Sequence, residues 1–99
     1  MSGQNKPTQE EIMVRLAGQF PAMKGAPGID PWDPMTLDEW GASGAASSGE
    51  KVIVRFLPAI RNGSEDYWKT GPFRLRDLNQ LDDANFEAWR TWAARPFFL

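Results

Sequence analysis

The sequence contains no cysteine and no histidine among its 99 residues. Without cysteine there is no disulfide framework, no thiolate metal site and no cysteine nucleophile, and the chain suits a reducing compartment. Without histidine it lacks the side chain most used for acid–base chemistry near neutral pH and a common ligand of transition metals. A Ser-His-Asp triad and a classical zinc site are therefore excluded, and we expect neither a metal nor a cofactor.

Long apolar runs are also missing from the sequence. No segment approaches the roughly 20 consecutive apolar residues that a membrane-spanning helix requires. The first twelve residues, MSGQNKPTQEEI, show neither the basic start nor the apolar run of a signal peptide. We therefore expect a soluble, cytoplasmic protein with no membrane partner.

The charge balance is close to neutral and is uneven along the chain. The net charge is −2, with three Lys or Arg against seven Asp or Glu in residues 1–50, and eight against six in residues 51–99. Domains that bind nucleic acid usually carry a clear basic stripe and a high pI, whereas the pI here is near 5.0. A nucleic-acid partner is thus an alternative that the charge does not favour.

Aromatic residues are what the sequence has in quantity, with five Trp and six Phe. A short chain buries a small fraction of its surface, so large apolar side chains must supply much of its core. We expect a disordered N-terminal lead over residues 1–7, followed by a single helical domain over residues 8–99 with an aromatic core.

Helix starts are marked by capping residues. Thr8-x-x-Glu11 and Ser47-x-x-Glu50 are capping boxes, and Asp33-Pro34 overlaps a further box at Thr36-x-x-Glu39. Asp82 can cap a last helix, and Pro96 lies just beyond its end. The apolar spacing after these caps predicts helices over about 8–19, from 33 or 36 to 41–44, from 47 onward, over 73–81 and over 83–94.

Residues 51–60 support two interpretations. Val52, Ile53, Phe56, Leu57 and Ile60 share one helical face, yet alternate residues also fit a strand before a hairpin turn at 62–63. A proline at position 58 disfavours both structures, and the capping box favours the helix. We predict an all-α fold, a compact small domain of four to five short helices. The alternative is an α+β fold with one β-hairpin at about 51–69.

No catalytic motif stands out. Adjacent acids occur mostly in the first turns of predicted helices, where the helix dipole favours negative charge. Asp30, Asp33, Asp38 and Glu39 lack the spacing of a calcium loop, and no phosphate-binding glycine loop is present. Ser48-x-x-Lys51 has no companion motif of the serine enzymes that use such a pair. We therefore predict a protein that is not an enzyme, a carboxylate enzyme being the least favoured alternative.

Aromatic and arginine residues together are typical of binding hot spots. The partner-binding candidates lie in loops and in the basic half: Trp32, Tyr67, Trp68, Arg74, Arg76 and Arg90. The plainer interpretation is that Trp32 and Trp68 close the edges of the core. The sequence leads us to expect a non-enzymatic module that docks on a protein partner, as a regulator or inhibitor. The alternative is a nucleic-acid-binding accessory protein that uses its C-terminal half.

The last helix has a predicted inward face. By helical spacing, Phe86, Trp89, Trp92 and Ala93 should face the core, and Glu87 and Arg90 should form an exposed pair. Trp89 is the expected core anchor of this helix. Trp68, as a loop residue, is expected to contribute little to stability.

Overall fold

The computed structural model describes residues 7–61 and 68–99. They form four α-helices, α1 (Gln9–Gly18), α2 (Pro34–Ala42), α3 (Ser48–Arg61) and α4 (Asp83–Ala94), and two 3₁₀ helices, Pro21–Met23 and Leu75–Gln80. No strand occurs in these two ranges, which confirms the all-α prediction. The hairpin alternative is wrong for residues 51–61, which are helical, and its turn lies outside the described residues. The predicted N-terminal lead at 1–7 also lies outside them, except for residue 7.

The predicted caps form as hydrogen-bonded structures. In the first box the Glu11 N–H donates to Thr8 Oγ1 at 3.1 Å, and the Thr8 N–H donates to Glu11 Oε1 at 2.7 Å. That backbone hydrogen bond from Thr8 is the main cause that lowers the pKa of Glu11. Ser47 and Glu50 make the same reciprocal pair at the start of α3.

At α2 the cap is Asp33 and not Thr36. The Thr36 hydroxyl donates to Asp33 Oδ2 at 2.8 Å, and its N–H donates to Oδ1 at 3.3 Å. These two bonds, the hydroxyl first, lower the pKa of Asp33. Pro34 occupies the first helical position, where its missing N–H costs nothing.

Helix α3 is the centre of the core. Its apolar residues are almost completely enclosed: Val52, Ile53, Val54, Phe56, Leu57, Pro58 and Ile60. A proline inside a helix costs about 3 kcal/mol because the carbonyl four residues earlier loses its donor. Burial of each large apolar side chain contributes about 1.5–3 kcal/mol. The summed burial along α3 therefore outweighs the cost of Pro58, and the helix continues to Arg61.

Helix α2 packs directly on α3 through Gly41. A Cβ at this glycine would lie 2.6 Å from Val54 Cγ1, so only glycine permits the approach. Lys51 of α3 closes the end of α2, since its Nζ donates to the Gly41 and Ser43 carbonyls, each at 2.8 Å. These carbonyls are among those that a helix end leaves without an intrahelical donor.

Asp38 joins α2 to the turn at 68–71. Its carboxylate is 3% exposed and accepts from the Lys69 N–H at 2.9 Å, the Thr70 N–H at 3.1 Å and the Thr70 hydroxyl at 2.9 Å. Arg55 of α3 holds the same turn, because its Nε donates to the Thr70 carbonyl at 2.9 Å. The turn is thereby fixed to both helices.

The predicted inward face of α4 is partly wrong. The buried residues of this helix are Asn85 and Ala88, whereas Phe86 is 36% exposed and Trp89, Trp92 and Ala93 are half-buried. The reason is a polar contact: the Ala22 N–H donates to Asn85 Oδ1 at 3.1 Å. Docking this asparagine against the 3₁₀ helix Pro21–Met23 rotates Phe86 outward.

The segment between α1 and α2 packs on the core despite its prolines and glycines. Phe20, Met23 and Trp32 are all buried in the main hydrophobic cluster. The Asp33 N–H donates to the Gly28 carbonyl at 2.8 Å, which closes a turn just before α2. Gly25 and Gly28 have φ values of +84° and +85°, which only glycine adopts without strain.

Gly25 and Gly28 allow the energetic cost of a positive φ to be measured separately from the cost of a steric clash with an added Cβ. Alanine at Gly25 meets nothing within 4 Å, whereas at Gly28 its Cβ would lie 2.6 Å from the Asp33 carbonyl oxygen and 2.7 Å from the Leu37 nitrogen. We expect Gly25→Ala to cost about 1 kcal/mol, from the positive φ alone. Gly28→Ala should cost about 2–3 kcal/mol, because the backbone must also move. Urea unfolding of both variants measures the difference, and equal losses would contradict the collision.

Candidate interaction surface

Aromatic rings connect the core to the surface in a continuous series of contacts. At the inner end, Phe56 lies 5.9 Å from Phe20, 5.5 Å from Phe73 and 4.8 Å from Trp92, measured between ring centroids. The contact with Trp92 is edge to face, a geometry that aromatic quadrupoles favour. Trp92 is thus held firmly from its inner side.

The outer end of the series is the aromatic surface, which we define as Phe86, Trp89, Trp92, Phe97 and Phe98. Trp92 lies 6.5 Å from Phe97 and 5.7 Å from Phe98, both edge to face. Trp89 lies between Trp92 at 6.5 Å and Phe86 at 6.0 Å. Five rings from one helix and the residues after it therefore form a single connected group.

The residues after α4 are tied back to the domain by two hydrogen bonds. The Leu99 N–H donates to the Ile60 carbonyl at 2.9 Å, which satisfies an acceptor near the end of α3. Trp92 Nε1 donates to the Phe97 carbonyl at 3.3 Å. The Leu99 side chain also packs against the main hydrophobic cluster. This anchoring fixes the backbone that carries the two phenylalanines.

The phenylalanines of the aromatic surface are its most exposed rings. Phe98 is 72% exposed, and Phe86 and Phe97 are each 36% exposed. Isolated apolar residues on a surface are common, but a connected group of large rings gains no folding energy from its exposed area. Aromatic residues are enriched in interface cores, and tryptophan is among the residues enriched at binding hot spots.

A small pocket opens beside these rings. It has a volume of about 160 Å³ and is lined by Phe56, Ala59, Ile60, Phe73, Trp89, Trp92 and Phe98. An apolar cavity of about 150 Å³ holds a benzene molecule. The pocket is therefore large enough for one bulky apolar side chain, and none of its lining residues is charged.

Arginines are the charged residues that adjoin the pocket lining in the sequence. Every charged residue directly next to a lining residue is an arginine: Arg55, Arg61, Arg74 and Arg90. Arg55 pairs with Asp77 at 3.5 Å, and Arg90 pairs with Glu87 at 2.9 Å, an ion pair that raises the pKa of Arg90 through its hydrogen bond. Within residues 7–61 and 68–99, Arg74, Arg76 and Arg95 are exposed and form no ion pair.

The structure buries some of the predicted partner-binding residues and exposes others. Trp32 and Trp68 are 7% and 9% exposed, which favours the interpretation that they close the edges of the core. Trp32 also lines a hollow on the side of α1, and partner binding by either ring stays a prediction. Tyr67 lies outside the described residues. Arg74 and Arg76 are exposed on or beside the 3₁₀ helix Leu75–Gln80, and for them and Arg90 partner binding stays a prediction. Because Trp68 is buried and its turn folds back onto α2, its position in a loop gives no reason to expect a small contribution to stability.

Sequence reasoning missed the outer part of the aromatic surface. Phe97 and Phe98 come after a proline that ends the helix, and this run of aromatics outside any periodic element was the available signal. Phe86 was placed inward because helical spacing alone does not show that Asn85 takes the buried position.

Two further hollows lie on the side of α1. One of about 400 Å³ is lined by Arg15, Asp30, Trp32 and neighbouring residues, and the next, of about 480 Å³, shares Val14 and Asp30 with it.

No group of three or more acidic side chains in the described ranges is placed to hold a metal ion. The same ranges contain no helix long and apolar enough to cross a membrane.

The aromatic surface is thus a connected group of exposed and half-buried rings beside a pocket. Two exposed arginines without an ion pair in the described ranges, Arg74 and Arg95, are close to these rings or to the pocket lining in the sequence. The chemistry of this surface is that of an apolar contact area with positive charge at its edge. Comparison of the chain with protein-family models, with curated proteins and with solved structures finds no match.

Proposed function

We propose that this protein is a non-enzymatic binding module that docks on another protein through the aromatic surface, as a small regulator or inhibitor. The observation that carries the proposal is Phe98, 72% exposed, packed on Trp92 at the mouth of an apolar pocket. Interface cores combine aromatic anchors with a polar edge, and the arginines near this pocket supply that edge.

Several of the carboxylates that an enzyme without histidine would need are engaged in structural hydrogen bonds. Glu11 accepts from the Thr8 N–H in the capping box of α1, and Asp33 caps α2. Asp82 accepts from the Asn85 N–H at 2.9 Å at the start of α4. Asp38 holds the turn at 68–71. These engagements favour a structural role for the carboxylates, and they support binding over catalysis.

Nucleic-acid binding is the alternative function, with Arg74, Arg76 and Arg90 on phosphates and Trp68 stacked on a base. The described ion pairs weaken this alternative, since Arg90, one of its three arginines, is neutralised by Glu87. Trp68, the proposed stacking ring, is buried. A net charge of −2 also gives no long-range attraction for a polyanion.

Capture of a partner from an extract of the native host tests the proposal if it uses a matched pair of variants. Phe98 and Leu75 are both exposed apolar residues, at 72% and 77%, but Leu75 lies outside the ring series and the pocket lining. We expect Phe98→Asp to reduce capture at least about 30-fold, as expected when a hot-spot residue worth 2 kcal/mol is lost. Leu75→Asp should leave capture unchanged.

Thermal melting of both variants is the control, because neither side chain contributes to the buried core. Equal capture by Phe98→Asp and the wild type would contradict docking through the aromatic surface. A loss with both variants would instead indicate non-specific adhesion of apolar residues.

A further inference from the structure

We infer that the partner presents a short segment in which one bulky apolar side chain is flanked by carboxylates. This inference rests on the proposed function and adds the chemistry of the partner. Its basis is the combination of an apolar pocket of about 160 Å³ with arginines as its only charged sequence neighbours.

The pocket determines the apolar part of the segment. All seven lining residues are apolar, and three of them, Trp89, Trp92 and Phe98, belong to the aromatic surface. Most of the lining surface is apolar, so a polar side chain entering this space would lose its hydration with few hydrogen-bond partners in return. A leucine or phenylalanine side chain would instead bury its surface against rings that are already held in place. The volume of the pocket matches one such side chain.

The exposed arginines determine the charged part. Arg74 is the next residue after Phe73, a lining residue, and is exposed on the outside of the chain. Its N–H donates to Asp77 Oδ2 at 2.9 Å, so its backbone is fixed beside the pocket. Arg95 lies between Trp92 and Phe98 in the sequence and is also exposed. A guanidinium binds a carboxylate through two parallel hydrogen bonds, which makes acidic neighbours the complementary choice.

A second copy of the chain does not fit this surface as well. In a two-fold dimer the same patch occurs on both sides, so two sets of the same exposed arginines would be brought into one interface without added carboxylates. Like charges placed opposite each other across an interface are unfavourable. A segment with carboxylates supplies the opposite charge, and a short segment needs only one or two of the exposed arginines.

Synthetic nonapeptides and an isotope-labelled full-length protein test the inference by NMR. The first peptide has a central leucine with two glutamates on each side. The second replaces the glutamates with glutamines, and the third replaces the leucine with alanine. A single-stranded oligonucleotide of ten thymidines is the fourth probe. The readout is the indole N–H signal of Trp92, which lies at the pocket and donates to Phe97.

We expect the first peptide to bind about fivefold more tightly than the glutamine peptide, the size that an exposed ion pair supplies. Arg74→Glu should remove this difference. Arg15→Glu, the same charge change on α1 and away from the pocket lining, should preserve it. The alanine peptide should not shift the Trp92 signal.

The failures of the two proposals are distinguishable. Equal affinity for the glutamate and glutamine peptides would overturn the acidic preference and leave docking by an apolar anchor intact. Equal affinity for the leucine and alanine peptides would overturn the anchor pocket and with it the proposed function. Tighter binding of the oligonucleotide, lost in Phe98→Asp, would overturn both in favour of nucleic acid. Phe98-dependent dimerisation in sedimentation would overturn the inference in favour of a second copy.

Discussion

Replacing Phe56 with alanine should unfold the protein or leave it barely stable at 25 °C. Phe56 is buried in the middle of α3 and touches Phe20, Phe73 and Trp92. Truncating a buried phenylalanine removes its transfer energy and leaves a cavity, at a cost of about 3–5 kcal/mol. A small domain has a total stability of about 5–15 kcal/mol, so most of it can be lost.

Phe98→Ala is the matched control for this prediction. It removes the same side chain from the other end of the ring series, where most of its area is already exposed. We expect a loss near or below about 0.5 kcal/mol, as for surface substitutions in general. Chemical denaturation monitored by circular dichroism compares the two variants. A similar loss in both would show that the residues after α4 are part of the stabilising core.

The helix starts could be predicted because their cause is local. The capping boxes of Thr8 and Ser47 need only a hydroxyl and a carboxylate three residues apart, and both form as expected. The helical interpretation of residues 51–60 was also correct, since the cap at Ser47 starts a helix whose period matches the apolar residues after it. The predicted end at residues 62–63 lies outside the described residues.

The orientation of α4 could not be predicted because its cause is distant in sequence. Asn85 is buried only because the Ala22 N–H, 63 residues earlier, requires an acceptor at that point. Hydrophobic spacing cannot include such a partner, and it placed Phe86 inward instead. This rotation, of one polar residue inward, is the change that exposes Phe86.

Burial of the loop tryptophans has a similar origin. Trp32 and Trp68 come after segments rich in proline, glycine or polar residues, which indicate loops but not whether a loop faces solvent. Beside Trp68, the Lys69 and Thr70 N–H groups donate to the Asp38 carboxylate, a contact that we call the Asp38 clasp and that holds this turn against α2. The buried carboxylate of Asp38 therefore helps to keep Trp68 buried.

Removal of the Asp38 carboxylate is the second change for which we expect a large effect. Asp38→Ala should cost about 2–4 kcal/mol, because the Lys69 and Thr70 N–H groups lose their acceptor in a partly buried place, at about 1–3 kcal/mol each. Asp38→Asn should cost less, since it keeps one acceptor oxygen. Glu39→Ala, at the exposed next position of α2, should have little effect on the free energy of unfolding.

Hydrogen exchange at the Lys69 and Thr70 amides locates the effect. We expect both amides to exchange faster in Asp38→Ala even below its melting range, because the turn is released before the helices separate. Exchange of the amides within α3 should change only as far as global stability changes. Unchanged protection at positions 69 and 70 would contradict the clasp, since it would mean that Arg55, which binds the Thr70 carbonyl, holds the turn by itself.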